Sequence, residues 1–377
     1  MAGIYIHIPF CKQACYYCDF HFSTNQRGRD KTVRAIGDEL ILQKDYLKGE
    51  AIETIYFGGG TPSILSEQEL NQLLTIIRAN FPTIAHPEIT LEANPDDLSI
   101  DKLASIKNGG INRLSIGIQS FDDELLRSLN RVHDSHMAKS CVYAAREVGF
   151  DNISIDLIYA IPSLDNSRWM ETIEQALQLS PQHISSYALT IEEKTVFGKW
   201  AARGKIRIID DDTAAQQLQI LVDKLDTQGY EQYEVSNFSL PDLHSKHNSN
   251  YWKNKNYLGA GPSAHSFNGV SRQYNISNNQ LYVNSILSGK IPATVEILTR
   301  EDKINEYLLT SLRTAWGINL STLRKDFGVD LENIHNQYIS LLQERNFAIV
   351  KNDTMFLTKT GLLLADKIAS DLFVITP

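Results

Sequence analysis

Six short apolar runs, separated by amphipathic stretches, constrain what the first two-thirds of this chain can fold into. They are GIYIHI (3–8), TIYFGG (54–59), EITLEA (88–93), RLSIGI (113–118), NISIDLIYA (152–160) and HISSYALTI (183–191). Helical patterns lie between them. Val33, Ile36 and Leu40 share one face, and Leu70, Leu73, Leu74 and Ile77 share another, behind a capping box of Ser66 and Glu69. Trp169, Ile173, Ala176 and Leu177 form a third. Strands alternating with helices imply an α/β fold with a parallel sheet and right-handed crossovers. Periodicity leaves two forms open, a doubly wound sheet and a curved partial barrel. In both, functional groups gather beyond the carboxyl ends of the strands. The cysteine loop follows the first run, Gly58–Pro62 ends the second, Asn94–Asp96 follows the third and Gln119 the fourth.

The rhythm changes near residue 200. Residues 210–226 read as a helix with Leu218, Leu221, Val222 and Leu225 inward, and 231–268 as an irregular stretch rich in Asn, Tyr and His. Beyond about 297 the pattern is mainly helical. Ile304, Tyr307, Leu308, Ser311 and Leu312 make one face, and Ile334, Ile339 and Leu342 belong to a later helix. The runs FAIV and MFLT then flank a turn at 351–354, which suggests a winged-helix-like unit. The expected division is 1–200, 201–296 and 297–377.

Three of the four cysteines crowd into Cys11-Lys-Gln-Ala-Cys15-Tyr-Tyr-Cys18, and Cys141 stands alone as a small helix-packing residue. A disulfide framework would spread its cysteines along a short secreted chain, so the loop points to a metal or redox group. Three thiolates hold three irons of a [4Fe-4S] cubane and leave the fourth open to a small molecule, such as the amino and carboxylate groups of S-adenosylmethionine (SAM). The alternative is zinc, with His7 or His21 as fourth ligand, although no second C-x-x-C knuckle is present.

A formal charge of −9 argues against a general nucleic-acid binder. No apolar run approaches the roughly 18 residues of a membrane span. The opening MAGIYIHIPF carries no secretion signal, so a cytoplasmic location is expected. Peripheral membrane contact and a homodimer stay open.

Tyr-Ile-His-Ile-Pro-Phe-Cys-x-x-x-Cys-x-Tyr-Cys (5–18) resembles the opening of the radical SAM family of oxygen-independent coproporphyrinogen III oxidases and their relatives, over nearly the whole chain. The resemblance implies a partial (β/α) barrel with a C-terminal winged-helix-like domain. It makes Tyr5 a SAM contact, where a strand residue packing near the loop is the plainer reading. It assigns Gly59, Gly60 and Thr61 to a glycine-rich turn whose backbone approaches the methionine amino group, and Glu92 to a ligand amine or ribose hydroxyls. Gln119, Arg131 and Asp156 match positions the oxidases use for a second SAM. Arg131 can otherwise be a surface ion pair, whereas Asp156 interrupts an apolar strand and needs a partner if buried. Ala188 is a plausible backbone contact.

Two departures separate the chain from the oxidases. These resemble C-x-x-x-C-x-x-C-x-C, with a further segment ahead of the loop. Here Phe20 stands at the last cysteine position and ten residues precede Cys11. Both features resemble the HemW-type haem chaperone branch, as does His247-Asn248-Ser249-Asn250-Tyr251-Trp252, which matches its H-N-x-x-Y-W haem signature. The resemblance implies His247 as axial haem ligand, with Tyr251 and Trp252 against the porphyrin. His244 and His265 are rival ligands, and a structural loop with His247 satisfied by local hydrogen bonds is the plain alternative. The expected function is haem binding and transfer to acceptor haemoproteins such as respiratory enzymes, with an electron donor for the cluster. Coproporphyrinogen oxidation, action on another tetrapyrrole and a structural zinc protein are the competing readings.

Overall fold

The computed structural model describes residues 1–374. All six runs are strands: β1 (Ala2–Ile8), β2 (Ile52–Gly59), β3 (Thr83–Ala93), β4 (Arg113–Gln119), β5 (Ile153–Tyr159) and β6 (His183–Ala188). Each pairs in parallel with the next. A doubly wound sheet contains a point where strand order reverses. From β1 to β6 there is none, so the strands follow one another as barrel staves.

The barrel stays open because other segments occupy its edges. β7 (Glu231–Glu234) and β8 (Asn237–Ser239) form a hairpin that adds to β6. On the far side β9 (Tyr257–Ala260) runs parallel to β1. β10 (His265–Phe267), β11 (Ser271–Asn275) and β12 (Ala293–Ile297) continue from it in antiparallel fashion, completing a twelve-stranded sheet. Residues 231–268 are therefore regular structure and not an irregular stretch. They add four strands and the short helix Lys246–Trp252. Their strands have only three or four residues each, too few for alternation to declare itself.

Local signals explain the helices. Ser66 and Glu69 form the expected reciprocal capping box at the start of Glu67–Asn80. Leu70, Leu73, Leu74 and Ile77 are buried in one large apolar cluster with Ile4, Ile6, Ile8, Val33, Ile36 and Leu40. Burying each such side chain is worth about 1.5–3 kcal/mol. Cys141 is buried on the helix Ser135–Glu147 and bonds to the Ala138 carbonyl. Because Ile4, Ile6 and Ile8 take one face of β1, alternation gives the other face to Gly3, Tyr5 and His7.

A buried carboxylate ties the wing β9–β12 to the first helix, Arg29–Leu42. Glu39 accepts from the Gly261 backbone at 2.8 Å, from Asn275 at 2.7 Å, from Gln43 at 2.8 Å and from the Tyr282 hydroxyl. Burial raises its pKa to about 7 against the pull of these donors.

A second apolar cluster, including Ile304, Leu308, Leu312, Leu323, Ile339 and Met355, holds the C-terminal unit. It contains the helix Arg300–Leu312 and a three-stranded sheet of β13 (Ile318–Asn319), β14 (Ala348–Lys351) and β15 (Thr354–Leu357). The expected hairpin is β14–β15. Ile334 departs from expectation. It ends a separate short helix, Leu331–Ile334, and is exposed. Residues 375–377 of the expected last domain lie outside the described residues. Among those described, no helix is long and apolar enough to cross a membrane.

Candidate functional site

The cysteine loop leaves the carboxyl end of β1 and is pinned from several sides. The Cys11 amide donates to the Ser23 carbonyl at 3.1 Å and the Tyr16 amide to the Leu129 carbonyl at 3.2 Å. Asn130 donates to the Ala14 carbonyl, and Lys12 pairs with Asp96 and Asp97 beyond β3. The three thiols are unpaired and partly buried. Burial pushes Cys11 up to about 11 and Cys18 up to about 12. Neighbouring thiolates there call for a cationic partner such as iron. Among the described residues no three His, Cys, Asp or Glu side chains are gathered around a point fit for one metal ion. A cubane asks less of them, since its irons occupy separate corners. Three soft donors on one pinned, half-buried loop fit that group.

The glycine turn packs directly on this loop. The Gly60 amide donates to the Ile8 carbonyl at 2.9 Å and the Thr61 amide to the Phe10 carbonyl at 2.8 Å. A Cβ on Gly60 would sit 2.6 Å from the Phe10 oxygen, and one on Gly59, at φ 109°, would strike the His7 ring. The close approach expected toward a ligand is thus made first toward the cluster loop. Gly58 clears space where Tyr5, Tyr56 and Glu92 converge.

Glu92 accepts from the Tyr56 hydroxyl at 2.8 Å and the Gly59 amide at 3.3 Å. Burial first, then the charge of Asp156, raises it to about 7. Asp156 accepts from Ser115 at 3.2 Å, and burial raises it to about 6. Arg131 is not a surface ion pair. It donates to Asn94 and to the Gly117 carbonyl, both at 2.7 Å, and to the Cys15 sulfur at 3.4 Å. Gln119 holds φ 69° at the end of β4, and Ala188 ends β6, exposed. Gly59–Thr61 and Arg131 therefore lie against the cysteine loop, Glu92, Gln119 and Ala188 stand at or near the carboxyl ends of β3, β4 and β6, and Tyr5 and Asp156 lie farther down β1 and β5. Acids, amides and a guanidinium at one mouth can bind an amino acid's charged ends together with sugar hydroxyls.

His247 packs against Tyr5 and Tyr56, and its setting is at odds with an axial ligand. The ring is buried. One nitrogen bonds Thr54 at 2.7 Å and the other the Tyr251 hydroxyl at 2.8 Å. The ring stacks on Tyr56 and Tyr5, and bare Gly3 leaves room for it. Burial lowers its pKa to about 3. Glu88 accepts from the Lys246 and His247 amides, which fixes the start of this helix. Nothing in the sequence told which way the imidazole would face. His244, the first rival ligand, is half-buried. It stacks on Tyr233 with ring centres 4.3 Å apart and sits edge-on to Trp316.

Tyr251 and Trp252, by contrast, line a cavity of about 550 Å³. Tyr5, His7, Phe20, His21, Tyr257, His265, Phe267 and Arg272 share its wall. Register explains the gathering. Gly3 of β1 pairs with Tyr257, Tyr257 with Phe267, Phe267 with Arg272, and His265 with Tyr274, so all belong to one face of the sheet. Tyr257, Phe267 and Arg272 were missed in the sequence because the strands that present them are too short to read.

Known proteins place the chain. A model of the radical SAM superfamily matches residues 5–176, and the HemN C-terminal domain matches 298–364. The heme chaperone HemW of Bacillus subtilis (strain 168) is 34% identical over 371 residues, covering 98% of each chain. That of Lactococcus lactis is 33% identical over 97% of this chain and 95% of its own. That of Escherichia coli (strain K12) is 38% identical over 70% of this chain and 69% of its own. Among solved structures, the coproporphyrinogen III oxidase HemN of Escherichia coli superposes with a TM-score of 0.85 at 24% identity, over 99% of this chain and 90% of that one. At that identity the likeness speaks for the fold.

Proposed function

We propose, because this chain belongs to the heme chaperone HemW family within the radical SAM superfamily, that it binds haem and passes it to acceptor haemoproteins. Cys11, Cys15 and Cys18 hold a [4Fe-4S] cluster, and the adjoining mouth takes SAM. When bound, the cluster supplies an open iron for the amino and carboxylate groups of SAM and a source of single electrons. The protein's own groups do the positioning. Glu92 and the Gly59–Thr61 backbone receive the polar groups of SAM. Arg131 steadies the Cys15 sulfur, and Asn94 holds Arg131 in place.

One observation favours haem handling over coproporphyrinogen oxidation. Two of the sequence features that resemble the haem chaperone branch, Phe20 and the Tyr251-Trp252 pair, are far apart in the chain yet line the same cavity. Phe20 is 72% exposed and adds apolar surface to the cavity wall beside Trp252 and Phe267.

The test is to supply anaerobically reconstituted protein with haem and, separately, with coproporphyrinogen plus SAM and reductant. A haem Soret band, transfer of that haem to an apo-haemoprotein and no protoporphyrinogen are expected. Catalytic turnover of coproporphyrinogen would replace this reading with the oxidase.

A further inference from the structure

We propose that His265, not His247, is the imidazole that binds haem iron in the cavity beside Phe20 and Trp252, with Arg272 taking a propionate. The inference rests on the reading that this chain binds haem.

Three imidazoles line the cavity. His7 is buried, with one nitrogen on the His21 carbonyl at 2.9 Å and the other on the Tyr5 hydroxyl at 3.2 Å. His21 holds Asn279 at 2.7 Å through its Nε2. His265 is exposed. Among the described residues, its surroundings include the nearby Arg272 charge, the His7 ring and a stacked tyrosine, and its ring nitrogens have no hydrogen-bond partner. Tyr274, directly across the β10–β11 pair, stacks on the imidazole at 5.6 Å and fixes the ring plane without occupying a nitrogen. A metal-binding imidazole needs a free nitrogen and an oriented ring, and His265 is exposed on the cavity wall, without a hydrogen bond to its ring and stacked on Tyr274. His247 would have to abandon two hydrogen bonds and its stacked neighbours to reach iron.

The rest of the wall suits a flat, mostly apolar ligand with few charges. Phe20, Trp252, Tyr257 and Phe267 supply aromatic surface. The volume, about 550 Å³, lies within the roughly 300–1,000 Å³ of ligand pockets. Arg272 projects from the strand position opposite Phe267 and spends one arm on Glu306 at 2.8 Å. Further guanidinium donors remain for a carboxylate. The other cation, Lys255, is paired with Glu53 at 2.6 Å.

The experiment uses full-length protein carrying its reconstituted cluster, titrated with haem and read by absorption and low-temperature electron paramagnetic resonance. His265→Ala should bind haem about tenfold or more weaker and lose the imidazole-ligated signature, and added free imidazole should restore that signature. His265→Met should hold haem with a thioether signature. His247→Ala should keep the imidazole signature. Cluster iron content reports that each variant is folded. If His265→Ala keeps the wild-type spectrum and affinity, or if the signature disappears only in His247→Ala, the ligand assignment is overturned while haem binding stands. If the unaltered protein binds no haem, the proposed function itself falls and takes this inference with it.

Discussion

On one flank of β1 the sheet continues through five parallel strands, their residues mostly buried. On the other it continues through β9 and then three short antiparallel strands, ending at β12, whose Val295 and Ile297 are exposed. The first flank presents backbone amides, carboxylates and a guanidinium at the strand ends, close to the cysteine loop. The second presents rings and an uncommitted imidazole on its face. The first reads as a site for a small zwitterion with a sugar attached, the second as a seat for a planar apolar ligand. β1 belongs to both, since Tyr5 and His7 face the cavity while the loop leaving its end carries Cys11. Two ligands of opposite polarity can thus be held by two flanks built on different rules, parallel pairing with deep burial and antiparallel pairing with an open face.

The largest expected effects come from glycines that separate the flanks. Gly60→Val would drive a side chain into the Phe10 and Ile8 backbone. Cluster iron and SAM binding should fall together, to near the level of Cys15→Ser, in iron analysis and calorimetry. Gly259→Val would overlap the His265 carbonyl and part β9 from β10. Haem binding should be lost in that variant while cluster iron stays near wild type. Equal damage to both ligands from either variant would show that the flanks are not separable.

A smaller effect is expected where the wing is fastened to the first helix. Glu39→Ala leaves buried donors from Gly261, Asn275, Gln43 and Tyr282 without their acceptor. A loss of about 1–3 kcal/mol is expected in denaturant unfolding, with hydrogen exchange rising first in β9–β11. Smaller still is Ser66→Ala, which removes a helix cap far from the wing. About 1 kcal/mol should be lost, with haem affinity unchanged.

The smallest effect concerns pH. Glu92 has its pKa raised to about 7 chiefly by burial, so it is neutral below that value and becomes an ionised acceptor above it. A ligand that donates hydrogen bonds to it should bind better as pH rises. SAM affinity should increase about threefold from about pH 6.5 to 7.5, following the ionised fraction, and Glu92→Gln should flatten that dependence in calorimetry.

The parallel flank was legible in the sequence for a physical reason. Strands buried on both faces must be continuous apolar runs, and the helices between them show a 3.6-residue period. The choice between open sheet and barrel was not legible from periodicity, because strand order is set by long-range packing. The wing was hidden for the opposite reason. Residues 271–275, Ser-Arg-Gln-Tyr-Asn, are polar and short, held by pairing and by buried contacts such as Asn275 on Glu39. The cysteine loop was evident from its spacing. His247 shows the limit of a motif: its pattern marks the segment, but whether an imidazole faces inward depends on Gly3 and Thr54, which come some 190 residues or more earlier.

The placement of β1 also has a consequence in time. Its two neighbours, β2 and β9, end at Gly59 and Ala260. A ribosome adding about 5–20 residues per second needs on the order of 10–40 s to pass from one to the other. Through that interval the nascent chain carries a half-built sheet whose β1 edge lacks its β9 partner, next to the three thiols of the cysteine loop. The β1 edge of the growing chain is therefore open through a window that closes when residues 257–260 emerge and dock.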